Sequence, residues 1–160
     1  MAIDGVKIID SDQGYDIYNE VVGRYRDGDH VANIIKDILD AEKDYCQTDF
    51  FTEIYWTAFA YSLWKIGHLT DDIRYKTLEL IKKGPDSFWL EIDSKALKQR
   101  QKVFEKLAVQ LQTENPRPLK VPKAKAKRKP YFVEGDILAV KFEDEYGLVF
   151  VSMVEQSPRK

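Results

Sequence analysis

Five carboxylates and one tyrosine lie close together in the first third of the sequence. They are Asp37, Asp40, Glu42, Asp44, Tyr45 and Asp49. One interpretation is a solvated helix end and loop. The other is an acidic face that docks a basic partner, because complementary charge speeds association and tyrosines often anchor interfaces. The pattern therefore indicates a candidate partner-binding site.

A second charged segment, residues 115 to 130, has the opposite sign. It reads NPRPLKVPKAKAKRKP and holds four prolines and seven Lys or Arg, but no acidic residue. Such cations would neutralise nucleic-acid phosphates in a strongly salt-dependent way, although no aromatic residue is interleaved for base stacking. The alternative is an extended, solubilising spacer. The candidate phosphate-binding residues are Lys123, Lys125, Lys127, Arg128 and Lys129.

Residues for catalysis or metal binding are few. The two histidines, His30 and His68, fall at expected helix ends beside aspartates, where capping or exposure is the simpler interpretation. The sequence lacks the G-x-S-x-G, GxGxxG and P-loop patterns. Cys46 is the single cysteine, which excludes an internal disulfide framework and a Cys-based zinc site. We therefore expect a non-enzymatic protein without a metal or a cofactor.

Composition is that of a globular chain with an uneven charge distribution. The chain has 160 residues, of which 44% are hydrophobic and 32% charged, enough to bury a core without disulfides. Residues 1 to 114 carry 21 acids and 15 bases, which gives this part an acidic character. The N-terminus shows no signal-peptide pattern, and no apolar run approaches the roughly 20 residues that cross a bilayer. We expect a cytoplasmic protein with no membrane association.

Apolar spacing predicts five helices in the acidic part of the chain. The third is apolar around its whole circumference, so it should lie at the centre of a bundle. Short connections favour antiparallel neighbours. The predicted bounds are Gln13 to Arg26, His30 to Tyr45, Phe50 to Leu69, Asp71 to Lys83 and Lys95 to Thr113.

The first predicted helix carries several tyrosines. Tyr15, Tyr18, Val22 and Tyr25 recur at spacings of three and four, so they share one helix face. This face is predicted to be the buried one. Tyrosine is also common at interfaces, so a surface role for these residues is the alternative.

The last thirty residues have a β pattern. Strands are predicted from Ile137 to Phe142 and from Leu148 to Val154, with a turn at Asp144 to Gly147. A two-stranded hairpin is marginal alone in water. It should therefore dock on the helices, pair with a second copy as a homodimer, or belong to a longer domain.

Three segments follow from these patterns. Residues 1 to 114 form an acidic antiparallel five-helix bundle, residues 115 to 130 a basic Pro-rich linker, and residues 131 to 160 a short β-hairpin. The sequence therefore predicts a mainly α fold with a small β-segment at its C-terminal end.

Most of the chain resembles a poorly characterised bacterial family. DIYNEVVGRYRDGD (Asp16 to Asp29) resembles the family's opening helix and turn. YWTAFAYSLWKIGHLTDDI (Tyr55 to Ile73) resembles its Trp-ending central helix, with the closure "W, two residues, G, one residue, L". DSFWLEIDSKALKQRQKVFEKLAVQL resembles its last helix, and KPYFVEGDILAVKF the start of an SH3-like β-barrel.

The family is similar to immunity proteins of polymorphic and contact-dependent toxin systems. The resemblance implies a non-catalytic inhibitor that neutralises a cognate protein toxin by direct binding. The acidic stretch would suit a basic toxin such as a nuclease. The family's β-domain runs longer, so either the chain is a fragment or its barrel is reduced. The alternative function is a nucleic-acid-associated module that uses the basic linker and the SH3-like tail.

Overall fold

The computed structural model describes residues 3–121 and 131–154. The chain divides into two units, residues 1–122 and 123–160. The described part of the first unit is helical, and that of the second is a two-stranded antiparallel hairpin. The prediction of a mainly α chain with a C-terminal hairpin is therefore confirmed.

Seven helices occur in the described part of the first unit. They are α1 (Asp12–Asp27), α2 (Val31–Asp40), α3 (Glu42–Tyr45), α4 (Asp49–Ile66), α5 (Asp71–Lys83), α6 (Trp89–Ile92) and α7 (Ala96–Leu111). Five of them have ten or more residues, whereas α3 and α6 have four each. None of these helices has the length and apolarity that crossing a membrane requires.

Helix α4 lies at the centre of the helical unit, as its apolar circumference predicts. Twelve of its 18 residues are buried, and it contacts α1, α3, α5 and α7. The hydroxyl of Thr48 caps its start by accepting a hydrogen bond of 3.2 Å from a backbone amide. Gly67 ends it in the left-handed conformation, at φ 78°.

The prediction of one continuous helix from His30 to Tyr45 is wrong. The helix is interrupted at Ala41, which separates α2 from α3. The hydroxyl of Tyr55 in α4 donates a hydrogen bond to the carbonyl of Ile38. In a continuous helix that carbonyl would accept from the amide of Glu42. Packing against α4 therefore competes with the local helical hydrogen bond.

The buried face of α1 also differs from the predicted one. Val22 is buried as predicted, but Ile17 and Val21 are buried as well. Tyr18 and Tyr25 are only partly buried. Tyr15 is 55% exposed, so its assignment to the buried face is wrong. The branched aliphatic side chains, four residues apart, turn toward the core in place of the larger amphipathic rings.

The first part of the predicted linker packs against the helical unit. The side-chain amide of Asn115 donates hydrogen bonds of 3.1 Å to the carbonyls of Trp64 and Lys65. The backbone amide of Leu119 donates to the same Lys65 carbonyl at 3.0 Å, and its side chain packs on the core. An extended, solvated spacer therefore does not describe residues 115–119.

The hairpin consists of β1 (Ile137–Phe142) and β2 (Glu145–Phe150). The first strand has its predicted bounds, whereas the second begins three residues earlier than predicted. The predicted turn at Asp144 to Gly147 is wrong because Gly147 pairs with Val140 within the ladder. The chain reverses instead through a two-residue turn that begins at Glu143, which has a φ of 51°.

Candidate functional site

An open groove of about 500 Å³ lies between α1 and the α2–α3 segment. Its floor is apolar, and most of its rim side chains are carboxylates. We refer to it as the acidic groove. Its lining residues are Asp16, Ile17, Asn19, Glu20, Asp37, Ile38, Ala41 and Tyr45.

The α1 side of the acidic groove follows from helix geometry. Asp16 and Glu20 are four residues apart, so they lie on one side of α1. They flank Ile17 and Val21, which are buried. When the aliphatic pair faces the core, the two carboxylates lie at the edge of the buried face, and both are exposed.

The guanidinium of Arg24 lies beside the acidic groove and binds three carboxylates. Its Nη1 is 3.0 Å from Glu20 Oε1 and 2.9 Å from Asp37 Oδ2. Its Nε is 2.8 Å from Asp29 Oδ2. These hydrogen bonds, first that of Asp29 and then that of Asp37, raise the pKa of Arg24. One cation shared among three anions leaves an excess of negative charge.

Four more carboxylates, in α1 and in the segment from the end of α2 to the start of α4, add to the excess. All four are exposed, and none forms an ion pair within residues 3–121. Because no cation among these residues neutralises them, they extend the negative field beyond the groove. They are Asp16, Asp40, Asp44 and Asp49.

Tyr45 provides an aromatic edge to the acidic groove. Its ring centroid is 5.8 Å from that of Tyr55, and 36% of the residue is exposed. Burial raises the pKa of Tyr55, so its hydroxyl keeps its proton and stays a donor to the carbonyl of Ile38. The exposed ring of Tyr45 therefore rests on a fixed neighbour, which suits an interface anchor.

The six predicted partner-binding residues divide between the groove and its surroundings. Asp37 and Tyr45 line the acidic groove. Glu42 turns away, since its Oε1 accepts hydrogen bonds from Lys76 Nζ at 2.8 Å and from Trp56 Nε1 at 3.2 Å. The other three are exposed and lie outside the groove lining: Asp40, Asp44 and Asp49.

Sequence reasoning missed the α1 half of the groove. Asp16, Asn19 and Glu20 were not predicted, because the tyrosine spacing favours another face of α1 as the buried one. The signal that marks them is the four-residue spacing of Asp16, Glu20 and Arg24, which places two acids and a base in one row. If Ile17 is taken as the centre of the buried face of α1, this row lies at the edge of that face, on the side of the second helix.

The predicted phosphate-binding residues fall outside the described residues. They are Lys123, Lys125, Lys127, Arg128 and Lys129, within residues 122–130. In the described ranges, no group of three or more His, Cys, Asp or Glu side chains is arranged to hold a metal ion.

A second charged cluster lies inside the helical unit and was not predicted. Arg100 Nε is 2.8 Å from Glu53 Oε1, and Trp89 Nε1 donates to the same oxygen at 3.0 Å. The other carboxylate oxygen accepts from the backbone amide of Asp86 at 2.7 Å, and Arg100 Nη2 donates to Thr57. Burial lowers the pKa of Arg100, and Glu53 opposes that shift. With its polar atoms partnered and excluded from solvent, the cluster has a structural role.

Comparison of the chain with protein-family models, with curated proteins and with solved structures found no match. Support for a function therefore comes from the chain's own geometry and charge.

Proposed function

We propose that this protein is a non-catalytic, immunity-type inhibitor that neutralises a bacterial toxin by binding it directly. The observation that carries the proposal is the acidic groove, an open concave surface with an apolar floor and a carboxylate rim. It suits a basic protein segment, because carboxylates would face the cations with which a nuclease toxin holds phosphates.

The balance of charge around Arg24 supports a partner with positive side chains. Its three carboxylates share one guanidinium, while Asp16 has no ion-pair partner in the described residues. A Lys or Arg from a partner would complete the charge balance. Such complementarity steers association and selects among partners.

The apolar floor and Tyr45 would supply short-range contacts. Ile17 and Ile38 lie at the base of the groove, and the partly exposed ring of Tyr45 flanks it. Interfaces commonly derive most of their affinity from a few aromatic anchors surrounded by polar groups. In this proposal the long helices form an antiparallel bundle that presents the groove as a preformed surface in the cytoplasm.

We further propose that two copies associate through the hairpin. Exposed apolar side chains occur on both strands, among them Phe142, Leu148 and Phe150. Within the described part of the second unit, β1 and β2 pair only with each other, so the outer edge of each strand could pair with a strand of another chain. A second copy would supply both the strand and the apolar cover that the hairpin needs.

A tagged pull-down from the source cells, at moderate salt and with nuclease added, tests the inhibitor proposal. We expect one stoichiometric protein partner with a basic surface, whose expression arrests growth unless this chain is co-expressed. Recovery of nucleic-acid-binding proteins only when nuclease is omitted would instead favour the alternative, in which residues 123–129 contact phosphates. Absence of any growth protection by this chain would contradict the inhibitor proposal.

A further inference from the structure

A second groove, of about 700 Å³, lies between residues 6–10 and α7. Its base is apolar and consists of two buried core residues and three partly buried residues. We refer to it as the lysine groove, and it shares no lining residue with the acidic groove. Its apolar lining residues include Ile8, Ile9, Tyr61, Val103 and Leu107.

Three lysines line this groove: Lys7, Lys102 and Lys106. Each is exposed, and none forms an ion pair with any residue that the structure describes. Lys102 and Lys106 are four residues apart on α7, so their ammonium groups lie on one side of the helix. Asp10 is the one acidic residue in the lining. Cationic charge is therefore in excess around an apolar base.

The buried ion pair holds one wall of the lysine groove in place. Arg100 Nη1 donates hydrogen bonds of 2.9 Å to the carbonyls of Val6 and Lys7. The carboxylate of Asp10 accepts from the amide of Lys7 at 3.2 Å. The loop is thus fixed by contacts that do not use the lysine side chains. A ligand would meet a preformed wall, which reduces the entropic cost of binding.

We propose that the lysine groove binds a small amphipathic anion. The ligand would have an alkyl or aryl body that lies on the apolar base and one carboxylate, sulfonate or phosphate that meets the lysines. Small-molecule sites usually measure about 300–1,000 Å³ and combine an apolar lining with a few polar groups. This inference goes beyond the proposed inhibitor function, since it concerns a separate surface and a different class of ligand.

The dye 8-anilinonaphthalene-1-sulfonate, an aromatic anion, is a direct probe. We expect the full-length protein to bind it, with the affinity lowered about tenfold or more in the K102E/K106E variant because two charge-assisted contacts are lost. The matched control is K36E/K83E, which makes the same change in net charge at two exposed lysines on α2 and α5, outside the lining. Both variants should change dye binding at other apolar surfaces equally. A difference in dye affinity between the two variants therefore reports binding in the lysine groove.

Competition then identifies the ligand chemistry. Dodecanoate should displace the groove-bound dye, and uncharged dodecanol should displace it at least tenfold less well. The K102R/K106R variant keeps the charges and should bind dye as the wild type does. Equal dye affinity in K102E/K106E and K36E/K83E would overturn the proposal, as would equal displacement by the acid and the alcohol. Binding only to anionic phospholipid vesicles, without displacement by free dodecanoate, would also overturn it.

Discussion

Glu53 and Arg100 place opposite charges inside the helical unit, where the two residues are 2% and 1% exposed. Burying an ion pair is tolerable only when the remaining donors and acceptors are also satisfied. Here Trp89, Thr57 and backbone groups provide those partners. The pair joins α4 to α7, and through Arg100 it also joins them to the loop at residues 6–10.

Removing one member of this pair should be costly. Arg100→Met would leave the Glu53 carboxylate buried without its cation, and we expect a loss of about 3–5 kcal/mol in the free energy of unfolding. Urea unfolding followed by circular dichroism measures this. The control is Lys98→Met on the same helix, an exposed position where a change within about 0.5 kcal/mol is expected. A loss below about 1 kcal/mol for Arg100→Met would contradict the structural role of the pair.

Tyr55 should make stability depend on alkaline pH. Burial raises its pKa in the folded state, whereas an unfolded tyrosine ionises near pH 10. The contribution of the protonated Tyr55 hydroxyl to the free energy of unfolding is therefore complete below about pH 10 and is lost as the pH rises above that value. Tyr55→Phe also removes the hydrogen bond to Ile38 and should cost about 1–2 kcal/mol near pH 7.

The difference in unfolding free energy between wild type and Tyr55→Phe should then shrink above about pH 10. Urea titrations at neutral and alkaline pH measure it. The control is Tyr75→Phe, since Tyr75 is 68% exposed, and the free energy of unfolding of this variant should stay within about 0.5 kcal/mol of wild type at neutral pH. A Tyr55→Phe difference that stays constant across this range would rule out a buried, protonated hydroxyl.

At the scale of elements, the α1–α2 turn and the α2–α3 break together form the acidic groove. Gly28 ends α1 in the left-handed conformation, at φ 95°, and Arg24 joins α1 to Asp29 and Asp37 beyond the turn. The break at Ala41 then places Tyr45 at the groove.

How far the sequence predicts this arrangement depends on the range of the contacts involved. Helix α4 was predictable because its apolar circumference is a local pattern, and β1 because of its β-branched and aromatic content. The break at Ala41 was not, since it involves a hydrogen bond between Tyr55 and Ile38. The Glu53–Arg100 pair joins residues 47 positions apart, a separation at which no local pattern operates. Asp37 and Tyr45 were predicted as partner-binding residues from their charge and residue type alone.

The hairpin should mediate self-association. Leu148 in β2 is 79% exposed, so Leu148→Lys should leave the chain folded while weakening an apolar dimer contact. In sedimentation velocity we expect the wild-type mass to rise with concentration toward that of a dimer and the variant to stay monomeric. Met153→Lys, an exposed position beyond the strand, is the control and should behave as wild type. A monomeric wild type at every concentration would exclude the hairpin dimer.

At the scale of the whole molecule, charge is segregated along the chain. The part up to residue 114 has 21 acids against 15 bases, and residues 115 to 130 have seven bases and no acid. Within the first part, the structure places carboxylates and lysines that have no ion-pair partner among the described residues in the acidic groove and in the lysine groove, respectively. The two surfaces therefore suit partners of opposite charge.

The most direct test of the inhibitor proposal is the affinity of the captured partner for a charge-reversed acidic surface. The variant D16K/D40K/D44K reverses three exposed carboxylates in and beside the acidic groove. The control D4K/E91K/E114K makes the same change in net charge at exposed positions outside its lining. Circular dichroism should show that both variants are folded.

Isothermal titration calorimetry with the purified partner, at low and at moderate salt, measures the affinity of each variant. We expect D16K/D40K/D44K to bind at least about tenfold more weakly than wild type, with a smaller salt dependence, because like charges would now face each other. The control should stay close to wild type. Equal affinities for the two variants would contradict the acidic groove as the docking surface.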